Sequence, residues 1–116
     1  MSRSEVGREG ERLARAHLRR RGCRILDCNY RSRLGEVDIV CLSRGTIVFV
    51  EVKTRTTDLF GTPAEAVGPR KQARLRALAQ EYLSARGLAP VDVRFDVLAV
   101  MLHDGKPSIE HIEAAF

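Results

Sequence analysis

Two carboxylates and one lysine are the residues of this chain whose types and spacing best suit hydrolytic chemistry. Asp38 lies in one apolar run, and Glu51-Val52-Lys53 ends the next run along the chain. Carboxylate oxygens bind hard divalent cations, and a lysine beside them can neutralise charge that develops on a phosphate. The combination predicts a metal-dependent site that acts on phosphodiesters.

A β-hairpin is expected to position these side chains. Residues 36–42 and 47–52 are rich in Val, Ile and Leu, which is typical of strands. If Arg44-Gly45 forms a two-residue loop, Ser43 faces Thr46 and the strands run antiparallel. Counting outward predicts three further facing pairs: Val40 with Phe49, Asp38 with Glu51, and Glu36 with Lys53. A one-residue bulge in the turn would shift this register.

The two faces of the predicted hairpin differ in polarity. One face is wholly apolar and is expected to lie on the core: Val37, Ile39 and Cys41 with Val48, Val50 and Val52. The other face is apolar near the turn and charged away from it. Two ordinary surface ion pairs, Glu36 with Lys53 and Asp38 with Lys53, are the alternative interpretation. Three acids around one lysine leave excess negative charge, which favours a cation site.

Asp38 with Glu51-x-Lys53 resembles the PD-(D/E)xK nuclease signature. Longer blocks make the resemblance more specific, and the chain resembles the YraN family along nearly its whole length. This family consists of small bacterial proteins with a restriction-endonuclease-like fold, similar to archaeal Holliday junction resolvases. The blocks that carry the resemblance are Gly7, Gly10-Glu11, Ala14, Asn29-Tyr30-Arg31, Gly35-Glu36-Val37-Asp38-Ile39, Phe49-Val50-Glu51-Val52-Lys53-Thr54-Arg55, Phe60-Gly61, Lys71, Arg94-Phe95-Asp96 and Ala115-Phe116.

The resemblance implies a Mg²⁺- or Mn²⁺-dependent endonuclease. Asp38 and Glu51 would hold the ion with the backbone carbonyl of Val52, and Glu11 would complete the metal shell or orient a water. Lys53 would position the attacking water. Glu36 would support Lys53, and Arg55 and Lys71 would hold phosphates. A branched DNA substrate and a homodimer are implied only by analogy with resolvases.

The charge balance favours a nucleic-acid partner, with DNA preferred. The formal net charge is +5, from 20 basic and 15 acidic residues. Arginines such as Arg31 and Arg33 are concentrated before the hairpin, and a second basic cluster, residues 70–76, follows it. Basic stretches attract phosphate backbones through counterion release. The alternatives are a nuclease-like module that binds nucleic acid without cleaving it, and a protein-interaction scaffold whose charge aids solubility.

The remaining segments predict one α/β domain over residues 1–116, with a mixed sheet of about five strands flanked by two main helices. Helices are expected at 4–21 and from Gly68-Pro69 to about Arg86, with further strands at 25–30, 91–102 and 108–112. A polar loop is expected at 54–61, a helical turn at Thr62-Pro63 and a turn at 104–107.

Cellular context is predicted from what the sequence contains and lacks. The three cysteines, Cys23, Cys28 and Cys41, lack metal-type spacing and suit reduced thiols. No run approaches the roughly 18 apolar residues of a membrane span, and the N-terminus has no signal-peptide core. A cytoplasmic protein without a membrane partner is the expectation.

Overall fold

The computed structural model describes residues 2–56, 67–88, 91–102 and 106–116. It confirms the α/β class, with two helices and a five-stranded mixed sheet. The elements, in chain order, are α1 (Arg3–Arg20), β1 (Arg24–Ser32), β2 (Gly35–Ser43), β3 (Thr46–Arg55), α2 (Pro69–Ala85), β4 (Asp92–Met101) and β5 (Ser108–Ile112). Neither α1 nor α2, the helices of the described residues, has the length and apolar character needed to cross a membrane.

The strands follow one another across the sheet in chain order. Neighbouring strands are antiparallel except β3 and β4, which are parallel and are connected through α2. The helix begins after the carboxyl end of β3 and returns the chain to the start of β4. The carboxyl half of β3, which carries Glu51 and Lys53, therefore lies at the end of the sheet where α2 begins.

Both helices begin where the sequence provides a start signal. Ser2 caps α1 by accepting a hydrogen bond from the Glu5 N–H, and the Glu5 side chain bonds back to Ser2. Gly68 caps α2, with Pro69 in its first turn, where the missing N–H costs nothing. This start places Lys71 in the first turn of α2.

The turn between β2 and β3 confirms the predicted register. Arg44 and Gly45 both have positive φ, at 49° and 83°, as a type I′ hairpin turn requires. Ser43 pairs with Thr46, and Val40 pairs with Phe49. The ladder reaches Ile39 and Val50 and ends there.

The two further pairs, Asp38 with Glu51 and Glu36 with Lys53, are not part of the ladder. The Asp38 carboxylate, rather than a main-chain carbonyl, accepts the hydrogen bond of the Val52 N–H. Glu36 instead forms an ion pair with Arg31 on β1. The strands therefore part at Asp38, and the acids of the site lie where the two strands separate.

Two apolar clusters lie on the opposite faces of the sheet. The cluster under α1 contains Ala14, Leu18, Ile39, Cys41, Val48, Val50 and Leu98. The cluster under α2 is larger and includes Val37, Val40, Ile47, Phe49, Leu75, Leu78, Tyr82 and Phe95. Each helix is thus held by a separate core, and the site lies between them at one end of the sheet.

Val37 lies in the cluster under α2, so its predicted position beside Ile39 and Cys41 is wrong. Asn29, which faces Asp38 across β1 and β2, has a φ of 53° and forms no ladder pair. This left-handed residue interrupts the alternation of side chains along the strand. Tyr30 and Val37, the next pair, consequently pack beneath α2.

The polar loop predicted from Thr54 begins later than expected. Thr54 and Arg55 belong to β3, where they pair with Val100 and Met101 of β4. Residues 57–61 of that loop, the turn at Thr62-Pro63 and the first half of the turn at 104–107 lie outside the described residues.

Asp96 is the buried acid of the core, with 1% of its surface exposed. Its carboxylate accepts hydrogen bonds from Arg94 at 2.8 and 2.9 Å and from the Ala114 N–H at 3.1 Å. His111 on β5 lies 2.8 Å away and is itself 3.3 Å from His17 on α1. Asp96 therefore has a structural role, linking β4 to β5 and, through His111, to α1.

Candidate active site

Asp38 is the residue whose chemistry the surroundings change most. Its carboxylate accepts a 2.8 Å hydrogen bond from the Val52 N–H. Burial, followed by the negative charges of Glu51, Glu11 and Glu36, raises the pKa of Asp38 to about 7 against the opposite effect of the Val52 bond. Three further carboxylates are therefore close enough to act on Asp38 at this end of the sheet.

Glu51 is held by two lysines that come from different elements. The Lys71 ammonium on α2 donates to Glu51 Oε1 at 2.7 Å, and the Lys53 ammonium lies 3.6 Å from the same oxygen. The Glu51 side chain is 11% exposed, so these contacts are largely shielded from solvent. A lysine ammonium thus occupies the side of Glu51 that a metal cation would approach.

The two lysines have opposite pKa shifts. Burial, followed by the positive charge of Lys71, lowers the pKa of Lys53, although Glu51 acts in the other direction. Burial alone would lower the pKa of Lys71, but its hydrogen bond and charge interaction with Glu51 outweigh this effect and raise the value. Lys53 is therefore the lysine more ready to share or release a proton.

Glu11 reaches the site because α1 packs very closely on β3. Gly10 is buried, and a Cβ at this position would lie 1.9 Å from Thr54 Oγ1. Only glycine allows this approach. The neighbouring Glu11 carboxylate then acts on Asp38, whose pKa it raises. The structure therefore places Glu11 close enough for its charge to act on Asp38.

The predicted phosphate-binding residues lie at different distances from the acids. Arg31 is paired with Glu36 at 2.9 Å, and its side chain is 75% exposed. Arg33 is exposed in the turn between β1 and β2. Arg55 folds back so that its guanidinium donates to the Thr54 carbonyl at 3.3 Å. Arg31 and Arg33 therefore lie on the β1–β2 hairpin and Arg55 at the end of β3, and together they are called the rim.

The sequence did not predict two contacts of α2 with the hairpins. Lys71 was expected to meet an anion but was not assigned to Glu51, and Arg74 was not expected to pack on Gly35. Both contacts depend on how α2 crosses the sheet, which residue spacing does not specify.

Asp38 and Glu51 are the residues of this site whose carboxylates would hold a divalent cation. Within the described parts of the chain, no group of three His, Cys, Asp or Glu side chains is arranged to hold an ion. Mg²⁺ commonly binds through one or two carboxylates and keeps several waters and substrate phosphate oxygens. A cation held by two carboxylates would therefore take its remaining ligands from water and substrate.

The amino-acid sequence of the chain is similar to those of a group of bacterial proteins. A model of the uncharacterised protein family UPF0102 matches residues 10–100. A UPF0102 protein of Alkaliphilus oremlandii is 50% identical over 97% of each chain. One from Anaeromyxobacter dehalogenans is 50% identical, covering 98% of this chain and 85% of its own. One from Moorella thermoacetica is 49% identical over 100% of this chain and 98% of its own. These names give no activity.

Proposed function

The chain belongs to the uncharacterised protein family UPF0102, and for this member we propose a metal-dependent endonuclease that hydrolyses phosphodiester bonds of DNA. The family assignment confirms the resemblance to the YraN family drawn from the sequence. The activity rests on a different observation, the placement of Asp38 beside Glu51 and its two lysines where β2 and β3 separate.

The observation that carries the proposal is the strained electrostatics of Asp38. Asp38 is a half-buried carboxyl held by the Val52 N–H where β2 and β3 separate, and its pKa of about 7 beside three further acids makes its ionised form costly to the folded protein. Strongly perturbed ionisable groups of this kind cluster at functional sites. A divalent cation between Asp38 and Glu51 would relieve the repulsion between their carboxylates. A purely structural ion pair does not require such an excess of negative charge.

Each side chain has a distinct part in the proposed reaction. Asp38 and Glu51, with the carbonyl of Val52, would hold Mg²⁺ or Mn²⁺, which would neutralise phosphate charge and make a bound water more acidic. Lys53, with its lowered pKa, donates a hydrogen bond to the attacking water and stabilises charge on the phosphate. Glu11 accepts a hydrogen bond from a water and orients it.

Lys71 changes partner in this scheme. Its ammonium donates to Glu51 Oε1 at 2.7 Å. With a cation on Glu51, Lys71 would instead be able to donate to a non-bridging phosphate oxygen of the substrate. Arg31, Arg33 and Arg55 extend this positive rim to the neighbouring phosphates. We further propose that the substrate is branched or otherwise structured DNA, that a homodimer cuts paired strands, and that the protein acts in the cytoplasm.

A cleavage assay with matched variants tests the proposal. The purified protein is incubated with branched, duplex and single-stranded DNA in Mg²⁺, Mn²⁺ or EDTA. We expect metal-dependent cutting that falls at least about a hundredfold in Asp38→Asn and Lys53→Met, because each removes a group that acts in the transition state. Asp92→Asn and Lys106→Met remove exposed groups of the same types and serve as controls.

The outcomes separate the alternatives. Cutting that persists in Asp38→Asn and Lys53→Met would come from a contaminant and would contradict the assigned site. Salt-dependent binding without products would indicate a nucleic-acid-binding module. Absence of binding to all three DNA forms would indicate a protein-interaction scaffold.

A further inference from the structure

The turn between β1 and β2 presents an apolar side chain where turns usually carry polar residues or glycine. Ser32 pairs with Gly35, so Arg33 and Leu34 form the two-residue tip. Leu34 is 37% exposed and belongs to neither apolar cluster. Gly, Asn, Asp, Ser and Pro predominate in such turns for conformational reasons that leucine does not share. The core therefore gives no reason for leucine at this tip.

The tip is braced rather than loose. The Leu34 N–H donates to Ser32 Oγ at 3.1 Å, and Arg31 spans the hairpin to Glu36 at 2.9 Å. Gly35 lies against α2, where a Cβ would meet the Arg74 side chain at 3.1 Å. A leucine fixed in this way loses little conformational entropy on binding a partner.

Arginines lie close to the leucine in the chain and on the neighbouring helix. Arg31 and Arg33 precede it, and Arg74 reaches the same turn from α2, with Arg70 one helical turn earlier. An apolar tip with arginines on its own hairpin and on the adjacent helix complements a surface that has dense negative charge around a narrow apolar opening. Proteins that bind the minor groove of DNA combine arginines with apolar wedges that enter between base steps.

We propose that Leu34 is a wedge that enters the minor groove of double-helical DNA and partly unstacks one base step, while Arg31 and Arg33 hold the flanking phosphates. This inference rests on the proposed function for its ligand. Leu34 is four residues from Asp38 along β2, which corresponds to about 13 Å at ~3.3 Å per residue. Because an extended strand gives the largest separation of the two residues, the unstacked step lies within about four base pairs of the scissile phosphate at ~3.4 Å per base pair.

The test measures base stacking without cleavage. Duplexes and four-way junctions carry 2-aminopurine, which fluoresces when unstacked, at successive steps, and the protein is added in EDTA and in Ca²⁺. We expect emission to rise severalfold at one step with the wild-type protein and with Leu34→Phe. Leu34→Ser is expected to lose the rise and to bind about three- to tenfold more weakly. Val93→Ser, which alters an apolar side chain that is also 37% exposed, is expected to behave as wild type.

Each alternative result has one meaning. Wild-type binding without unstacking, or unstacking retained in Leu34→Ser, overturns the wedge and leaves the proposed function intact. No DNA binding by the wild-type protein overturns the proposed function and the wedge together. If Leu34 is instead required for binding to anionic lipid vesicles and not for unstacking, the tip is a membrane contact. The thermal midpoint of Leu34→Ser checks that the variant is folded.

Discussion

At the scale of single residues, the site keeps the Asp38 carboxyl where its ionised form is unfavourable. Burial and three neighbouring acids oppose ionisation of Asp38, and one hydrogen bond from Val52 favours it. Two lysines on Glu51 offset only part of the negative charge. Such a site is expected to reduce stability in the absence of a cation, which makes its charge measurable without any substrate.

Asp38→Asn is therefore expected to stabilise the metal-free protein at high pH. The pKa of Asp38 is about 7 in the folded chain and 3.8 for the free side chain, so its contribution to stability is lost as pH rises through this range. The asparagine oxygen can still accept the Val52 N–H. In EDTA at pH 8, we expect the free energy of unfolding to rise by about 2–4 kcal/mol, with little change at pH 4.

Urea denaturation at the two pH values measures this difference. Asp92→Asn, at the exposed start of β4, is the matched control and should change stability by less than about 0.5 kcal/mol. An Asp38→Asn variant that is no more stable than wild type at pH 8 would mean that the acids do not repel one another in the folded state.

Lys71→Met is expected to tighten Mn²⁺ binding. Lys71 donates to Glu51 at 2.7 Å and so competes with any cation for that oxygen. Losing one charge-assisted hydrogen bond should raise the affinity on the order of tenfold. Calorimetry or Mn²⁺ spin resonance measures the dissociation constant, and Arg70→Met, an exposed neighbour on the same turn of α2, controls for net charge. Unchanged or weaker binding would place the metal away from Glu51.

At the scale of elements, the close packing of α1 on β3 determines where Glu11 lies. Gly10→Ala should force the helix away, because the new Cβ would lie 2.7 and 2.8 Å from Thr54 Cγ2 and Cβ. We expect a loss of about 2–3 kcal/mol in unfolding free energy, typical of overpacking. Gly7→Ala is the matched control, since a Cβ there meets nothing within 4 Å, and it should be neutral or stabilising by up to about 1 kcal/mol.

Denaturation of both variants measures the effect, and Mn²⁺ titration of Gly10→Ala shows whether displacement of Glu11 also weakens metal binding. If the two alanine variants are equally stable, the tight approach of Gly10 to Thr54 does not exist in solution.

Much of the hairpin could be predicted because one turn determines it. Arg44-Gly45 sets the register, and the period of two then assigns a face to every residue as far as Ile39 and Val50. The prediction fails beyond this point because Asn29 on the neighbouring strand adopts a left-handed conformation and the Asp38 side chain replaces a ladder bond. The alternation of apolar and polar residues in β2 and β3 indicates neither the left-handed conformation of Asn29 nor the hydrogen bond of the Asp38 side chain.

Long-range contacts could not be predicted in the same way. The sequence indicates where α2 starts, since Gly68 and Pro69 mark its first turn. The contact of Lys71 with Glu51 depends on the angle and position at which the helix crosses the sheet. These are fixed by packing of apolar residues such as Leu75 and Leu78 on the strands, which residue spacing does not resolve.

At the scale of the whole molecule, positive charge is expected to dominate DNA affinity. The net charge is +5, and the rim of Arg31, Arg33 and Arg55 is joined by Arg70, Lys71 and Arg74 on α2. If about four or five phosphates are contacted, the logarithm of the binding constant should fall with the logarithm of salt with a slope of about −4. Arg33→Gln should reduce this slope by about 1.

Fluorescence anisotropy over a range of salt concentrations measures the slope. Arg19→Gln, which removes an exposed arginine near the far end of α1, is the control and should leave it nearly unchanged. Equal losses in the two variants would mean that charge acts diffusely and that the rim is not the binding surface.

The most direct test of the central claim is the position of Mn²⁺ in crystals of the protein soaked with the ion, located by anomalous scattering. The account predicts a peak between Asp38 and Glu51, about 2.0–2.3 Å from an oxygen of each, with the Lys71 ammonium displaced from Glu51. Mn²⁺ bound only elsewhere, with Lys71 still on Glu51, would contradict the assignment of this site as a metal-dependent nuclease centre.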